Sequence, residues 1–208
     1  PTVFQSMLTH GSRHDFDLGS LRCAVTGAAS IPVQLVKDMK HMLGFDEVYT
    51  AYGLTESTGV VSLCQSGDEF ETIATTSGKP MLGVEVQITR SDDTIADSEE
   101  AGEIWVRGFN VMQGYLDDAQ ATAEAITPEG WLKTGDIGHL TKAGYLRITD
   151  RIKDMYISGG FNCYPAEIEN TLLGHDDIAD VSVIGIPDER LGEVGKAFIV
   201  LRGGSEPS

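Results

Sequence analysis

Residues 21–51 constrain most strongly what this chain can fold into. A short apolar run at 21–25 leads into a turn of small residues, Thr26-Gly27-Ala28-Ala29-Ser30. Pro32 follows and reads as a first helical residue, because its fixed φ suits that position and it has no N–H to lose there. Apolar residues then recur at Val33, Val36, Met39 and Leu43, the spacing of one helix face. Gly44 is a natural helix stop, and residues 47–51 form a second apolar run. A strand-helix-strand unit of this kind closes as a crossover between parallel strands. The expected fold is therefore α/β with a parallel sheet.

In open α/β sheets, ligands collect beyond the carboxyl ends of the strands. Two segments occupy such ends here. One is Gly27-Ala28-Ala29. The other is Tyr52-Gly53-Leu54-Thr55-Glu56, which combines an aromatic face, a permissive glycine, a hydroxyl and a carboxylate. Those groups can stack a base, bond a phosphate oxygen and hold a divalent cation. An ordinary strand-end turn is the competing reading.

The pattern changes from Ser77 onward. Short strands at 84–89 and 103–107 flank an acidic, polar hairpin loop at 91–101, and residues 117–126 read as a helix. Further runs at 130–138 and 145–149 complete a small β-barrel-like unit. A second change follows Lys153. A strand at 155–157, a helix opening at Pro165 with Glu167 and Glu169 in its first turns, and strands at 179–186 and 197–201 make a small α+β unit. The expected division is 1–76 as the remainder of an α/β subdomain, 77–150 as a β-barrel-like subdomain, and 151–208 as a hinge followed by an incomplete α+β domain. Charged residues concentrate at the second change, in Asp150-Arg151-Ile152-Lys153-Asp154, where a hinge or a border site would sit.

A formal net charge of −17 over 208 residues argues against nonspecific binding to nucleic acid or to an anionic membrane surface. No apolar run approaches the length of a membrane span. Cys23, Cys64 and Cys163 show no metal-ligand spacing, which fits reduced thiols and a cytoplasmic location. His139 reads as a sheet or surface histidine, and Trp105 and Trp131 as packing residues.

In this order, Tyr52-Gly53-Leu54-Thr55-Glu56, Gly102-Glu103-Ile104-Trp105-Val106-Arg107-Gly108, Trp131-Leu132-Lys133-Thr134-Gly135-Asp136 and Asp150-Arg151-Ile152-Lys153-Asp154 resemble the adenylate-forming (AMP-binding) enzymes. Ser158-Gly159-Gly160-Phe161-Asn162, Pro165-Ala166-Glu167-Ile168-Glu169, Gly185-Ile186-Pro187-Asp188 and Gly192-Glu193 extend the likeness across essentially the whole chain. Within that superfamily it is most similar to bacterial acyl-CoA synthetases of the fatty-acid ligase type, and also to synthetases for sterol-derived acids.

The resemblance implies a ligase that activates a small-molecule carboxylic acid with ATP, forms an acyl-adenylate, and passes the acyl group to CoA with release of AMP. Implied cofactors are ATP/AMP, Mg2+ and CoA. It places Gly27, Ala28 and Ala29 along an adenine slot and Tyr52 stacked on the base. Gly53 borders the acyl channel, Thr55 bonds the adenylate phosphate, and Glu56 holds Mg2+. Asp136 and Arg151 take the ribose hydroxyls, and Lys153 is the pivot. Ser158, Gly159 and Gly160 lie on the loop approaching the pantetheine arm of CoA. Two family features are missing from these residues: the Ser/Thr/Gly-rich phosphate loop upstream and a lysine near the C-terminus. Both ends look cut from something longer. Without the phosphate loop, that lysine and much of the acyl pocket, the 208 residues alone are expected to be inactive or nearly so. An adenylation domain loading a carrier protein and a noncatalytic AMP-binding module are the alternatives.

Overall fold

The computed structural model describes residues 1–27 and 31–203, and the fold is mixed α/β. The chain divides into two compact units, Pro1–Thr134 with His139–Ile148, and Gly135–Gly138 with Thr149–Ser208. Among the described residues no helix is long and apolar enough to cross a membrane.

The first unit opens with helix α1 (Thr2–Thr9). Phe4, Met7 and Leu8 of that helix pack on a core that it shares with the strand-helix-strand unit. Strand β1 (Cys23–Gly27), helix α2 (Val33–Leu43) and strand β2 (Glu47–Tyr52) follow. β1 and β2 are parallel, in register from Cys23 opposite Glu47 to Gly27 opposite Ala51. Pro32 stands one position outside the helix, as its N-cap, because its ψ of 137° is extended although its φ of −61° suits a helix. Gly44 ends α2 at φ +80°, in the left-handed region that glycine enters without strain. Leu35, Val36, Met39 and Leu43 turn the inner face of α2 into the core beside Ala24 and Val48.

Three short elements have no clear signal in the sequence: β3 (Ser62–Leu63), α3 (Phe70–Thr75) and β4 (Lys79–Pro80). They extend the sheet in the order β1-β2-β3-β4, with β3 antiparallel to both neighbours.

β5 (Val84–Thr89) and β6 (Gly102–Gly108) form an antiparallel pair running from Val84 opposite Gly108 to Thr89 opposite Glu103. Helix α4 (Ala119–Ala125) is capped by Asp118, whose carboxylate accepts the Ala121 N–H at 2.8 Å. β7 (Leu132–Leu140) and β8 (Leu146–Arg151) complete a sheet of order β5-β6-β7-β8. β5 and β8 are its edges, so among the described residues the barrel-like unit is an open four-stranded sheet rather than a closed barrel. Its core is Val61, Val84, Ile88, Ile104, Val106 and Leu146.

The second unit contains β9 (Tyr156–Ser158), β10 (Phe161–Cys163), α5 (Pro165–Leu173), β11 (Ile178–Asp188) and β12 (Gly192–Leu201). Its sheet runs β10-β9-β12-β11, all antiparallel. Tyr156, Ile178, Val181 and Val183 form the core, against Ile168 and Leu172 of α5.

Candidate functional site

β2 ends at Tyr52, and the chain turns at once into a single 3-10 turn, Thr55–Ser57. The turn is closed by its own bonds. Ser57 Oγ accepts the Leu54 N–H at 3.1 Å, and the Ser57 and Gly59 N–H groups both reach Leu54 O at 3.0 Å. Gly53 is required because a Cβ there would overlap the backbone of Gly59 and Val60. The loop can fold back on itself this tightly only with glycine at that point. The result holds Thr55, which is exposed, and Glu56, half-buried, just past the carboxyl end of a parallel strand.

A second segment is stitched to this turn. The Met112 N–H donates to Glu56 O at 2.8 Å, and Thr58 Oγ1 donates to Asn110 O at 2.8 Å. The Tyr115 hydroxyl donates to Glu56 Oε1, also at 2.8 Å. That bond to a carboxylate holds the phenol pKa above its usual value. Tyr115 was not singled out from the sequence, since no local signal joins residues this far apart.

Gly27 sits at the end of β1 opposite Ala51, and a Cβ on it would press on Ala51 O, so the two strand ends lie close together. Ala28 and Ala29 lie outside the described residues.

The second unit holds the other predicted residues. Arg151 Nε lies 3.4 Å from Asp136 Oδ1, with the Asp136 side chain only 13% exposed and that of Arg151 74% exposed. The pair is held by backbone: the Ile152 N–H donates to Gly135 O at 2.8 Å, and Gly135 adopts φ +74°. A mostly shielded carboxylate beside an exposed guanidinium offers acceptors and fixed donors to a neighbouring diol. Lys153 is exposed on the turn that follows, where the Asp154 and Met155 N–H groups both return to Arg151 O. Ser158 pairs with Phe161 across the β9–β10 hairpin, whose two-residue turn is Gly159-Gly160 at φ +56° and +88°. Positive φ at both central positions is the hairpin turn that matches strand twist, and it selects glycine on structural grounds alone.

Among the described residues no group of three or more His, Cys, Asp or Glu side chains could cage a metal ion. Glu56 supplies one carboxylate, with Oε2 outside the bond to Tyr115. That donor set fits a hydrated Mg2+ that brings phosphate oxygens with it rather than an all-protein site.

The family described as AMP-binding enzyme matches residues 1–116, and the one described as AMP-binding enzyme C-terminal domain matches residues 167–208. The 3-[(3aS,4S,7aS)-7a-methyl-1,5-dioxo-octahydro-1H-inden-4-yl]propanoyl:CoA ligase of Mycobacterium tuberculosis is 56% identical over 205 residues, covering 99% of this chain and 38% of that protein. The amide bond synthetase McbA from Marinactinospora thermotolerans superposes with a TM-score of 0.88 at 30% identity, over 100% of this chain and 42% of that one. O-succinylbenzoate coenzyme A synthetase from Bacillus subtilis, in complex with ATP and magnesium ion, gives a TM-score of 0.81 at 36% identity, over 96% and 40%. The chain thus spans about two fifths of the length of the relatives it matches.

Proposed function

The chain belongs to the AMP-binding enzymes, and from that premise we propose that the protein carrying it is an acid–thiol ligase. In this reading a carboxylate attacks the α-phosphate of ATP, pyrophosphate leaves, and the thiol of CoA then displaces AMP from the acyl-adenylate. The observation that carries the proposal is 56% identity, over nearly the whole chain, to a propanoyl:CoA ligase.

The roles proposed are those the family resemblance implies, and the groups present are chemically suited to them. Tyr52 offers a face for the adenine, along a slot bordered by Gly27, and the Thr55 hydroxyl is a donor to the phosphate. Bound Mg2+ at Glu56 would offset charge on the phosphate oxygens. Asp136 accepts from the ribose hydroxyls, with Arg151 donating beside it. Lys153 stands where the backbone pivots, Gly53 borders the acyl channel, and Ser158, Gly159 and Gly160 give a thin pantetheine arm close access to the main chain.

The acid is open to a narrower proposal. The most informative relative takes a propanoyl arm on a compact bicyclic dione. An acid of that kind, a short carboxylate arm on a fused ring system, is the substrate class we infer, in preference to an unbranched fatty acid.

The test is an acid panel on the complete protein with MgATP and free CoA, reading acyl-CoA by chromatography. Ring-bearing propanoates should give thioester at higher kcat/KM than alkyl acids of equal carbon number. Pyrophosphate exchange without thioester would move the acceptor from CoA to a carrier protein or an amine. No exchange with any acid would leave a noncatalytic AMP-binding module.

A further inference from the structure

Glu56 is the one acidic side chain in its turn, and its carboxylate ends a flexible arm that solvent can reach. Left alone, such an arm samples several rotamers, and ordering it on metal binding costs conformational entropy. The structure removes that freedom from the outside, through Tyr115.

Tyr115 is itself fixed. Its N–H donates to Thr122 Oγ1 at 2.9 Å, and its carbonyl accepts the Asp118 N–H at 3.3 Å. The Thr122 hydroxyl donates in turn to Asp118 O at 2.7 Å. Gly114 lets this happen: at φ +152° it brings the backbone so close to Thr122 that a Cβ would overlap that side chain. The start of α4 therefore acts as a bracket that aims the phenol across to the turn after β2. Glu56 is held from its other side, since its carbonyl accepts the Met112 N–H. Carbonyl and carboxylate of one residue are thus both tied to the segment between β6 and α4.

We propose that Tyr115 is a positioning residue for the proposed metal site: its hydroxyl pins Glu56 Oε1 and thereby presents Oε2 to a nucleotide-borne divalent cation. The inference rests on the reading of Glu56 as the Mg2+ ligand. A hydrogen-bond donor of this sort behind a ligating carboxylate sets its orientation, and loss of such partners costs ten- to hundredfold in metal affinity.

The experiment uses the complete protein, ATP without any acid substrate, and Mn2+ as a spectroscopic stand-in for Mg2+, with bound Mn2+ counted by electron paramagnetic resonance. Three forms are compared: wild type, Glu56→Gln and Tyr115→Phe. Tyr115 is 42% exposed, so the phenylalanine leaves neither a cavity nor a buried orphan donor. Expected are loss of most Mn2+ binding in Glu56→Gln, a roughly tenfold or greater weakening in Tyr115→Phe, and unchanged ATP affinity in chelator for Tyr115→Phe. Weakening in Glu56→Gln alone overturns the role of Tyr115 and leaves the proposed function standing. Unchanged Mn2+ binding in both variants overturns the proposal at its root, because Glu56 is then no ligand. Equal weakening of ATP with and without metal in Tyr115→Phe also overturns it, by showing a merely structural bond.

Discussion

Asp150 holds the first turn of α5 from sixteen residues upstream. Its Oδ2 accepts the Ala166 N–H at 2.9 Å, while Oδ1 accepts the Arg151 N–H at 2.7 Å. The local N-cap, Tyr164, supplies no side-chain bond. A buried carboxylate therefore does at long range what Ser or Asp does at an ordinary helix start, and it meets the positive end of the helix dipole. The same side chain fixes the backbone at Arg151, two residues before Lys153, the proposed pivot.

Asp150→Ala should lower the stability of the second unit by about 2–3 kcal/mol, since two backbone donors lose a charged acceptor in a buried setting. Asp150→Asn keeps one good acceptor and should cost less. Denaturant unfolding, with hydrogen exchange at Ala166, measures both. An unchanged midpoint together with unchanged protection at Ala166 would contradict the capping role.

The elements that the sequence marks most clearly carry their own punctuation. Pro32 and Gly44 bracket α2, and the alternation of Val84-Glu85-Val86-Gln87-Ile88 marks β5 without reference to anything distant. β3 and β4 have two residues each, and they exist only because Ser62 and Leu63 find partners on both sides. Gly78 permits that approach, since a Cβ there would collide with the backbone at Leu63. α3 offers only Phe70, Ile73 and Ala74 as an apolar face, too few to separate a short helix from a loop. The candidate site divides in the same way. Thr55, Glu56, Asp136 and Arg151 stand in recognisable local strings, whereas Tyr115 acts on a residue far away in sequence and leaves no periodicity behind.

Gly185 and Gly195 face each other across β11 and β12, and the ring of Tyr156 lies over both. A Cβ on Gly185 would overlap Tyr156 Cβ, and one on Gly195 would overlap its hydroxyl. Each Gly→Ala change should destabilise the second unit by about 1–3 kcal/mol through overpacking. In a double-mutant cycle, Gly185→Ala with Tyr156→Ala should show a coupling of about 1 kcal/mol or more. Strict additivity would mean that the two do not touch.

Tyr145 ties the β7–β8 turn to Asp68 of an earlier loop, with its hydroxyl donating to Oδ1. That bond needs the protonated phenol, and it raises the Tyr145 pKa from 10.0 to about 12. Because the folded value lies above the unfolded one, the stabilisation is fully present below pH 10 and is lost as pH rises through 12. The stability difference between wild type and Tyr145→Phe should therefore be flat up to pH 10 and shrink above it. Denaturant midpoints across that range, with phenolate absorbance as a check on titration, test the sign. A difference that grows with alkalinity would refute it.

Asp136 and Arg151 lie 3.4 Å apart, and most of the guanidinium is in solvent. If the pair reads ribose hydroxyls, its worth should appear with nucleosides and nucleotides and vanish with the bare base. Asp136→Ala in the complete protein removes a charged acceptor from up to two hydroxyl donors, a loss of about 1.5–3 kcal/mol, or roughly ten- to hundredfold in affinity. AMP and ATP should weaken together by that amount while adenine is unaffected. Arg151→Gln should show a smaller loss, and the double variant should fall short of the sum, because neighbours in one network are not independent. Isothermal titration with adenine, AMP and ATP separates the cases. Unchanged AMP affinity in Asp136→Ala would sink the ribose role. An equal loss for adenine would assign Asp136 to the shape of the site instead.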